Sequence, residues 1–500
     1  MSRTTSPASL AFLALILLCS AGTPTPPDDP GAPAPFGQTP TEGQLAWHKR
    51  ELMMFYHYGQ ATFSGWDGEN ASCNGKPWSE SLLLENYTPT VINADQWVKV
   101  AADNGFKEVI LTVKHHDGFC LWDNPESTAD IANPACKNHT DVVGALRDAC
   151  SKYGVDLGLY LSPWDRTIEV AGLSTSAYEL KYKNALKDLM TRYAPVVEIW
   201  FDGNHAGSFD WDKVNDVVFS LNPQCVIFSN GGPGCRWVGN EAGIASETNW
   251  NTLNIKQRLL SPSSLPGDYE YYLSHGDCLG DSWCPAECDF SIQRTGDPNG
   301  WFYGANDPRK TARELMDLYY KSVGRGGVFL MNVPPSDKGV IDEKEVRIIE
   351  EFTEMRQSIF GTDLAKGASA SASSVRGSNS AKYGPALMLD GNYDSYFATD
   401  DDTKTVEIEF TLDGSKTFNR VQLQEYIPLG QRITSFDIQI KDAAGNWVSW
   451  GDGLKTTIGY KRIILGRSVT TDAVRVCITG ALASPVLNGF SLFNDSVSNL

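Results

Sequence analysis

"VVEIWFDG", residues 196–203, is a short apolar run that ends in a carboxylate and a glycine. Side chains alternate along a strand, so Trp200 and Asp202 share one face while Ile199 and Phe201 share the other. Runs of the same kind recur between residues 43 and 358: "ELMMFYHYG" (51–59), "EVILTVKHH" (108–116), "VDLGLYLS" (155–162), "QCVIFSN" (224–230) and "GVFLMNVPP" (327–335). Helix-like stretches lie among them at 93–104, 141–153, 177–193, 211–221, 308–323 and 341–357. Strand and helix in alternation imply parallel strands under covering helices. The expected fold is therefore α/β, a (β/α)8-like barrel over 43–358, with a doubly wound sheet as second candidate. Six strands stand out. The other two are expected in 231–300, where Gly, Pro and Cys blur the pattern.

Beyond residue 358 the character changes. A small-residue segment, "GASASASSVRGSNSA", leads into period-two runs at 405–412, 419–427, 435–442, 461–465 and 473–480, with no helical pattern between them. A C-terminal all-β sandwich over 364–500 is expected. Five hundred residues exceed one compact core, in keeping with more than one domain. The net charge of −19 argues against a nucleic-acid partner, because phosphates need a basic surface.

The N-terminal "ASLAFLALILLCSAG" after Arg3 reads as a secretory signal peptide over 1–21, too short to remain as a membrane span. A lipoprotein reading at Cys19 is disfavoured by the bulky Leu18 before it. Residues 22–42 are Pro/Gly/Thr-rich and are expected to form an extended linker. A secreted location follows, with no membrane partner. Of the ten cysteines left after cleavage several are expected to pair, among them Cys278, Cys284 and Cys288. Sequons stand at Asn70, Asn86, Asn138 and Asn494.

In a parallel barrel, function gathers at the C-terminal ends of the strands. Those ends carry His57; His115 and His116; Tyr160, Trp164 and Asp165; Trp200 and Asp202; and Asn332. Each has a plain reading: Asp-Gly is a turn dipeptide, and a lone His often only hydrogen-bonds a loop. The coincidence of several strands at one face favours a site. If Ile199 and Phe201 pack under the helices, Trp200 and Asp202 point to the mouth. The adjacent His115 and His116 can both serve a ligand only if the strand ends or bends there. A metal centre would also use His and Asp at strand ends, but that design wants a His-x-His pair, which the chain lacks. Imidazoles, an indole, a phenol and a carboxylate also suit a sugar. Hydrolysis then needs two carboxylates, and Asp202 is the candidate for the first.

Taken together, "FYHYG", "TVKHHDGFCLW", "GLYLSPWDR", "IWFDG", "RWVGNEAG", "PAECDFSI" and "SVGRGGVFLMNVPP" resemble the α-L-fucosidases of glycoside hydrolase family 29, over about 45–360. The "RWVGNE" and "PAEC" blocks resemble the branch that prefers α-1,3/1,4-linked fucose. "FNRVQLQEYIPLGQRITSFDIQI" resembles the discoidin-like sandwich often attached to that branch. The resemblance implies a retaining hydrolase without metal or organic cofactor, acting on fucosylated oligosaccharides or glycoprotein glycans. It gives Asp202 the nucleophile's role and sugar contacts to His57, His115, His116, Tyr160 and Trp200. Glu241 is the first choice for acid/base, with Glu247 and Glu287 as competitors, and Trp237 lies beside it. The first strand's loop departs from the branch and offers Trp66, Trp78 and Glu80 toward the sugar. Phe397 stands near where such sandwiches often place Trp. Two other readings remain open: a fucose-binding lectin on an inactive barrel, and a metal-dependent hydrolase.

Overall fold

The computed structural model describes residues 30–500 apart from 70–71, 74–75, 203–208, 229–233, 255–268, 295–299, 443 and 499. The expected signal peptide, the first part of the expected linker and Asn70 lie outside the described residues.

Eight strands form one parallel sheet: β1 (Leu52–Tyr56), β2 (Glu108–Lys114), β3 (Asp156–Leu161), β4 (Glu198–Trp200), β5 (Val226–Phe228), β6 (Arg236–Trp237), β7 (Ala286–Ser291) and β8 (Val328–Asn332). Their spatial order is β5-β4-β3-β2-β1-β8-β7-β6. A parallel bridge between Phe228 and Cys235 brings the two ends together, so the sheet is a nearly closed barrel. The two strands expected within 231–300 are β6 and β7. β1, β2, β4, β5 and β8 are buried at every residue, which is why apolar residues dominate them, with Glu108, Lys114 and Glu198 among the buried exceptions.

Helices cover the outside at Ala94–Asp103, Val142–Tyr153, Thr175–Arg192, Trp211–Leu221, Ala312–Lys321 and Glu343–Phe360. Their starts are written in the sequence. Asp141 caps one by accepting from the Gly144 N–H, and Thr311 with Glu314 forms a capping box on another. Alternation along the strands separates two cores. Ile199 and Phe201 join the outer one under the helices, with Leu186 and Leu189. Trp200 joins the inner one, with Phe55, Tyr160 and Phe228. A further helix, Glu42–Arg50, lays Trp47 into the inner core, where its indole donates to Glu198 at 2.7 Å.

The second unit is an antiparallel sheet system with its own apolar core. Two of its strands, Val406–Glu425 and Arg462–Ala481, are 20 residues each. Each merges two of the expected shorter runs, because register shifts at Thr411/Lys416 and Phe418/Arg420 absorb the turn residues as bulges. Phe397 is fully buried in this core.

One expectation gains detail and another is corrected. Residues 30–41 are extended but not free: the Phe36 N–H donates to Leu429 O at 3.0 Å, and Arg432 donates to Ala34 O at 2.7 Å, tying this segment to the sandwich. The expected disulfides are absent among the described residues, where nine cysteines are free. They are buried in several packing clusters: Cys120, Cys136, Cys150 and Cys225 in the outer core, Cys235 in the inner core and Cys288 in a smaller cluster.

Candidate active site

At the C-terminal ends of the strands lies a cavity of about 220 Å³. β1 leads into His57, β2 into His115 and His116, β3 supplies Tyr160, β4 supplies Trp200 and leads into Asp202, β6 supplies Trp237, and the loop after it brings Glu241. β2 ends at Lys114 after a register shift past Thr112, and this break lets both histidines line the cavity. Lys114 itself pairs with Asp165 at 3.0 Å, and Asp165 caps a short helix. Asp165 is therefore a scaffold residue. Trp164 packs on His116 with ring centroids 4.8 Å apart and lies behind the wall.

Hydrogen bonds set the polarity of the histidines. The Asn332 side-chain oxygen accepts from the His57 backbone N–H at 3.3 Å and faces His57 Nδ1 at 2.9 Å. Its amide nitrogen donates to Ser291 Oγ at 3.1 Å and to Trp301 O at 2.8 Å, which fixes the amide's orientation. Nδ1 of His57 therefore carries the proton, leaving Nε2 as an acceptor. His115 donates from Nδ1 to the backbone oxygen of Asp67 at 2.9 Å, with the same consequence. Burial pushes both imidazoles below their ordinary range, and each is neutral and able to accept from a sugar hydroxyl.

Asp202 stands at the centre. Tyr160 donates its phenolic O–H to Asp202 Oδ2 at 2.8 Å, and His116 Nε2 lies 3.6 Å from the same oxygen. Trp200, two residues back on the same face, stacks on Phe228 with centroids 3.4 Å apart. Glu241 lines the same cavity. Burial and the charge of Asp202 raise its pKa, while a hydrogen bond to Trp301 lowers it. A carboxyl whose pKa is pushed up beside a second carboxyl suits the acid's role, which leaves the second free for another.

The other two glutamates do not reach the cavity. Glu287 is fully buried beneath Trp200, whose indole donates to it at 3.2 Å, and Cys235 Sγ lies 3.0 Å from its other oxygen. Burial pushes it up to about 8. Glu247 is bound by Arg325 at 2.5 Å and by Arg462 of the sandwich, so it fastens the two units together. Trp66, Trp78 and Glu80 also fall outside the cavity: Trp66 is core, Trp78 packs against the outer core, and Glu80 begins the helix Glu80–Asn86. The first strand's loop contributes Asp67 and Glu69 instead. Trp301, Phe302 and Asp289 complete the wall. The aromatic "GWFYG" at 300–304 was the available signal for the first two.

Two carboxyl groups lining one aromatic-walled cavity at a barrel mouth are the equipment of a glycoside hydrolase. Comparison with known proteins gives the family. The family model described as Alpha-L-fucosidase matches residues 44–356, and that of the F5/8 type C domain matches 369–488. Alpha-L-fucosidase 1 of Arabidopsis thaliana is 37% identical over 475 residues, which span 93% of this chain and 89% of that protein. A Ruminococcus gnavus GH29 fucosidase solved in complex with fucose superposes with a TM-score of 0.82 at 29% identity, over 94% of this chain and 97% of that one. The chain belongs to the α-L-fucosidase family, glycoside hydrolase family 29, and carries a C-terminal F5/8 type C domain.

Proposed function

We propose that this chain is a secreted, retaining exo-α-L-fucosidase that removes terminal α-1,3/1,4-linked L-fucose from oligosaccharides or glycoprotein glycans. The observation that carries the mechanism is the pair Asp202 and Glu241 on one cavity, with the charge of the first raising the second. Asp202 attacks the anomeric carbon as its bond to the leaving oxygen breaks, and Glu241 gives that oxygen its proton. Glu241, now ionised, takes a proton from water. The water oxygen then attacks the same carbon and releases Asp202, so the configuration is retained. His57, His115 and Tyr160 orient the sugar and the nucleophile, and Trp200 supplies an apolar surface. The linkage preference rests on the "RWVGNE" block, which puts Trp237 and Glu241 in the wall. Secretion rests on the N-terminal leader. The sequons at Asn86, Asn138 and Asn494 fit it, although the Asn138 amide nitrogen is engaged with Pro89 O at 3.1 Å.

Asp202→Asn is expected to lower release of nitrophenol from an aryl α-L-fucoside by at least about 10³-fold with the fold intact. NMR is expected to show α-L-fucose as the first product of the native protein. A first product of β configuration would refute the double displacement. A panel of oligosaccharides differing only in linkage tests the α-1,3/1,4 assignment. A metal-dependent reading has one observation in its favour: ligand atoms of His115, His116 and Asp202 lie within 4.8 Å of one another. Activity that survives exhaustive chelation is the outcome expected here, and activity lost to a chelator and restored by zinc would favour the metal.

A further inference from the structure

The reaction proposed above employs Asp202 and Glu241 and leaves Asp289 without a task. Asp289 lies in β7, paired in register with Leu330 of β8. Alternation sends Glu287, Asp289 and Ser291 inward, while Phe290 packs in the outer core. Asp289 is 3% exposed, yet it lines the same cavity as Asp202 and Glu241. The Trp237 indole donates to its carboxyl group. Its Oδ1 has no partner among the described residues. A carboxyl oxygen withdrawn from water and left unpaired costs free energy that only a bound partner recovers. We propose that Asp289 is a substrate-binding residue whose Oδ1 hydrogen-bonds a hydroxyl group of the sugar, while Trp237 holds the carboxyl in place.

The direction of that bond follows from the surroundings. Burial, Glu241 and Asp202 all push Asp289 well above the ordinary carboxylate range, which favours its protonated form, the one that can donate. A neutral donor also avoids setting a second negative charge beside the nucleophile. Trp237 then acts through Asp289 as well as through its own ring, which links the "RWVGNE" and "PAECDF" segments in one recognition device.

The inference rests on the fucosidase reading, and the test separates the two. Wild type, Asp289→Asn and Asp289→Ala are assayed on aryl α-L-fucosides lacking the 2-, 3- or 4-hydroxyl in turn. Asp289→Ala is expected to lower kcat/KM on the full sugar by about 10- to 100-fold, and Asp289→Asn, which keeps shape and a donor, by less than about fivefold. For one deoxy sugar the loss from the variant and the loss from the missing hydroxyl should fail to add. Additive losses on all three sugars, or an Ala variant within threefold of wild type, would overturn the proposal. Where Asp289→Ala does not fold, infrared difference spectra of wild type against Asp289→Asn decide. The protonated-carboxyl C=O band missing from the variant should shift when L-fucose is added, and a band that stays in place overturns the assignment. A wild type that cleaves no aryl α-L-fucoside sinks the functional reading itself, before any variant is compared.

Discussion

Tyr160→Phe isolates one hydrogen bond of the proposed nucleophile. Tyr160 is fully buried, and its O–H reaches Asp202 Oδ2 at 2.8 Å. Burial and the Asp202 charge push the phenol well above its ordinary range, so it remains a donor at any working pH. The substitution keeps the ring, and with it the stacking on His115 (5.5 Å, 8°) and on Trp200 (5.9 Å, 23°). A hydrogen bond to a charged group is worth about 1.5–3 kcal/mol, which corresponds to roughly 13- to 160-fold in rate. His116 at 3.6 Å is too far to replace it. The expected result is a fall of that size in kcat/KM on an aryl fucoside, with little change in thermal midpoint. A loss under about threefold with an intact fold would refute the claim that Tyr160 positions the nucleophile. A large loss that tracks a drop in the thermal midpoint would show the hydroxyl to matter for packing alone.

Glu241→Ala should slow oligosaccharides, whose leaving oxygen needs a proton, far more than an activated aryl fucoside, and equal losses would remove Glu241 from the acid's role. Glu247→Ala should leave kcat/KM within about threefold but lower the denaturation midpoint, because it strands Arg325 and Arg462 at the seam between barrel and sandwich; a selective loss of activity would return it to candidacy. Glu287 has its folded pKa raised to about 8, so the native state holds a proton that the unfolded chain, at its ordinary value, has lost. Its contribution is therefore full at acid pH and fades as pH rises from about 4.5 to 8, a change on the order of 3–5 kcal/mol. Urea denaturation of Glu287→Gln between pH 5 and 8.5 should show a shallower decline than wild type, and parallel curves would contradict the assignment.

What the sequence made legible follows from how well each side chain matches its surroundings. β1, β2 and β8 are apolar because both faces are covered, and Asp202 stood out as a carboxylate at the tip of such a strand. β6 and β7 are covered too, but they were blurred because their buried side chains include charged ones. β6 is two residues long and carries Arg236, a buried arginine that donates to the backbone oxygens of Leu273 (2.8 Å) and Cys284 (2.5 Å). β7 sends two carboxyls into the barrel, and nothing in "AECDFS" tells an inward acid from an exposed one. The choice among Glu241, Glu247 and Glu287 was closed to sequence on the same ground. Each is a glutamate after the fifth strand, and what separates them is the Arg462 of another domain, the Trp200 indole and the field of Asp202. Asp67 and Glu69 escaped notice because they sit on a loop, where periodicity carries no information. Asp289 belongs with these hidden residues: it sits buried in a cavity wall and keeps one oxygen unpaired among the described residues. A strand position that holds an acid against such a cost is where a ligand contact is the physical explanation, since a hydrophobic residue there would stabilise the barrel more.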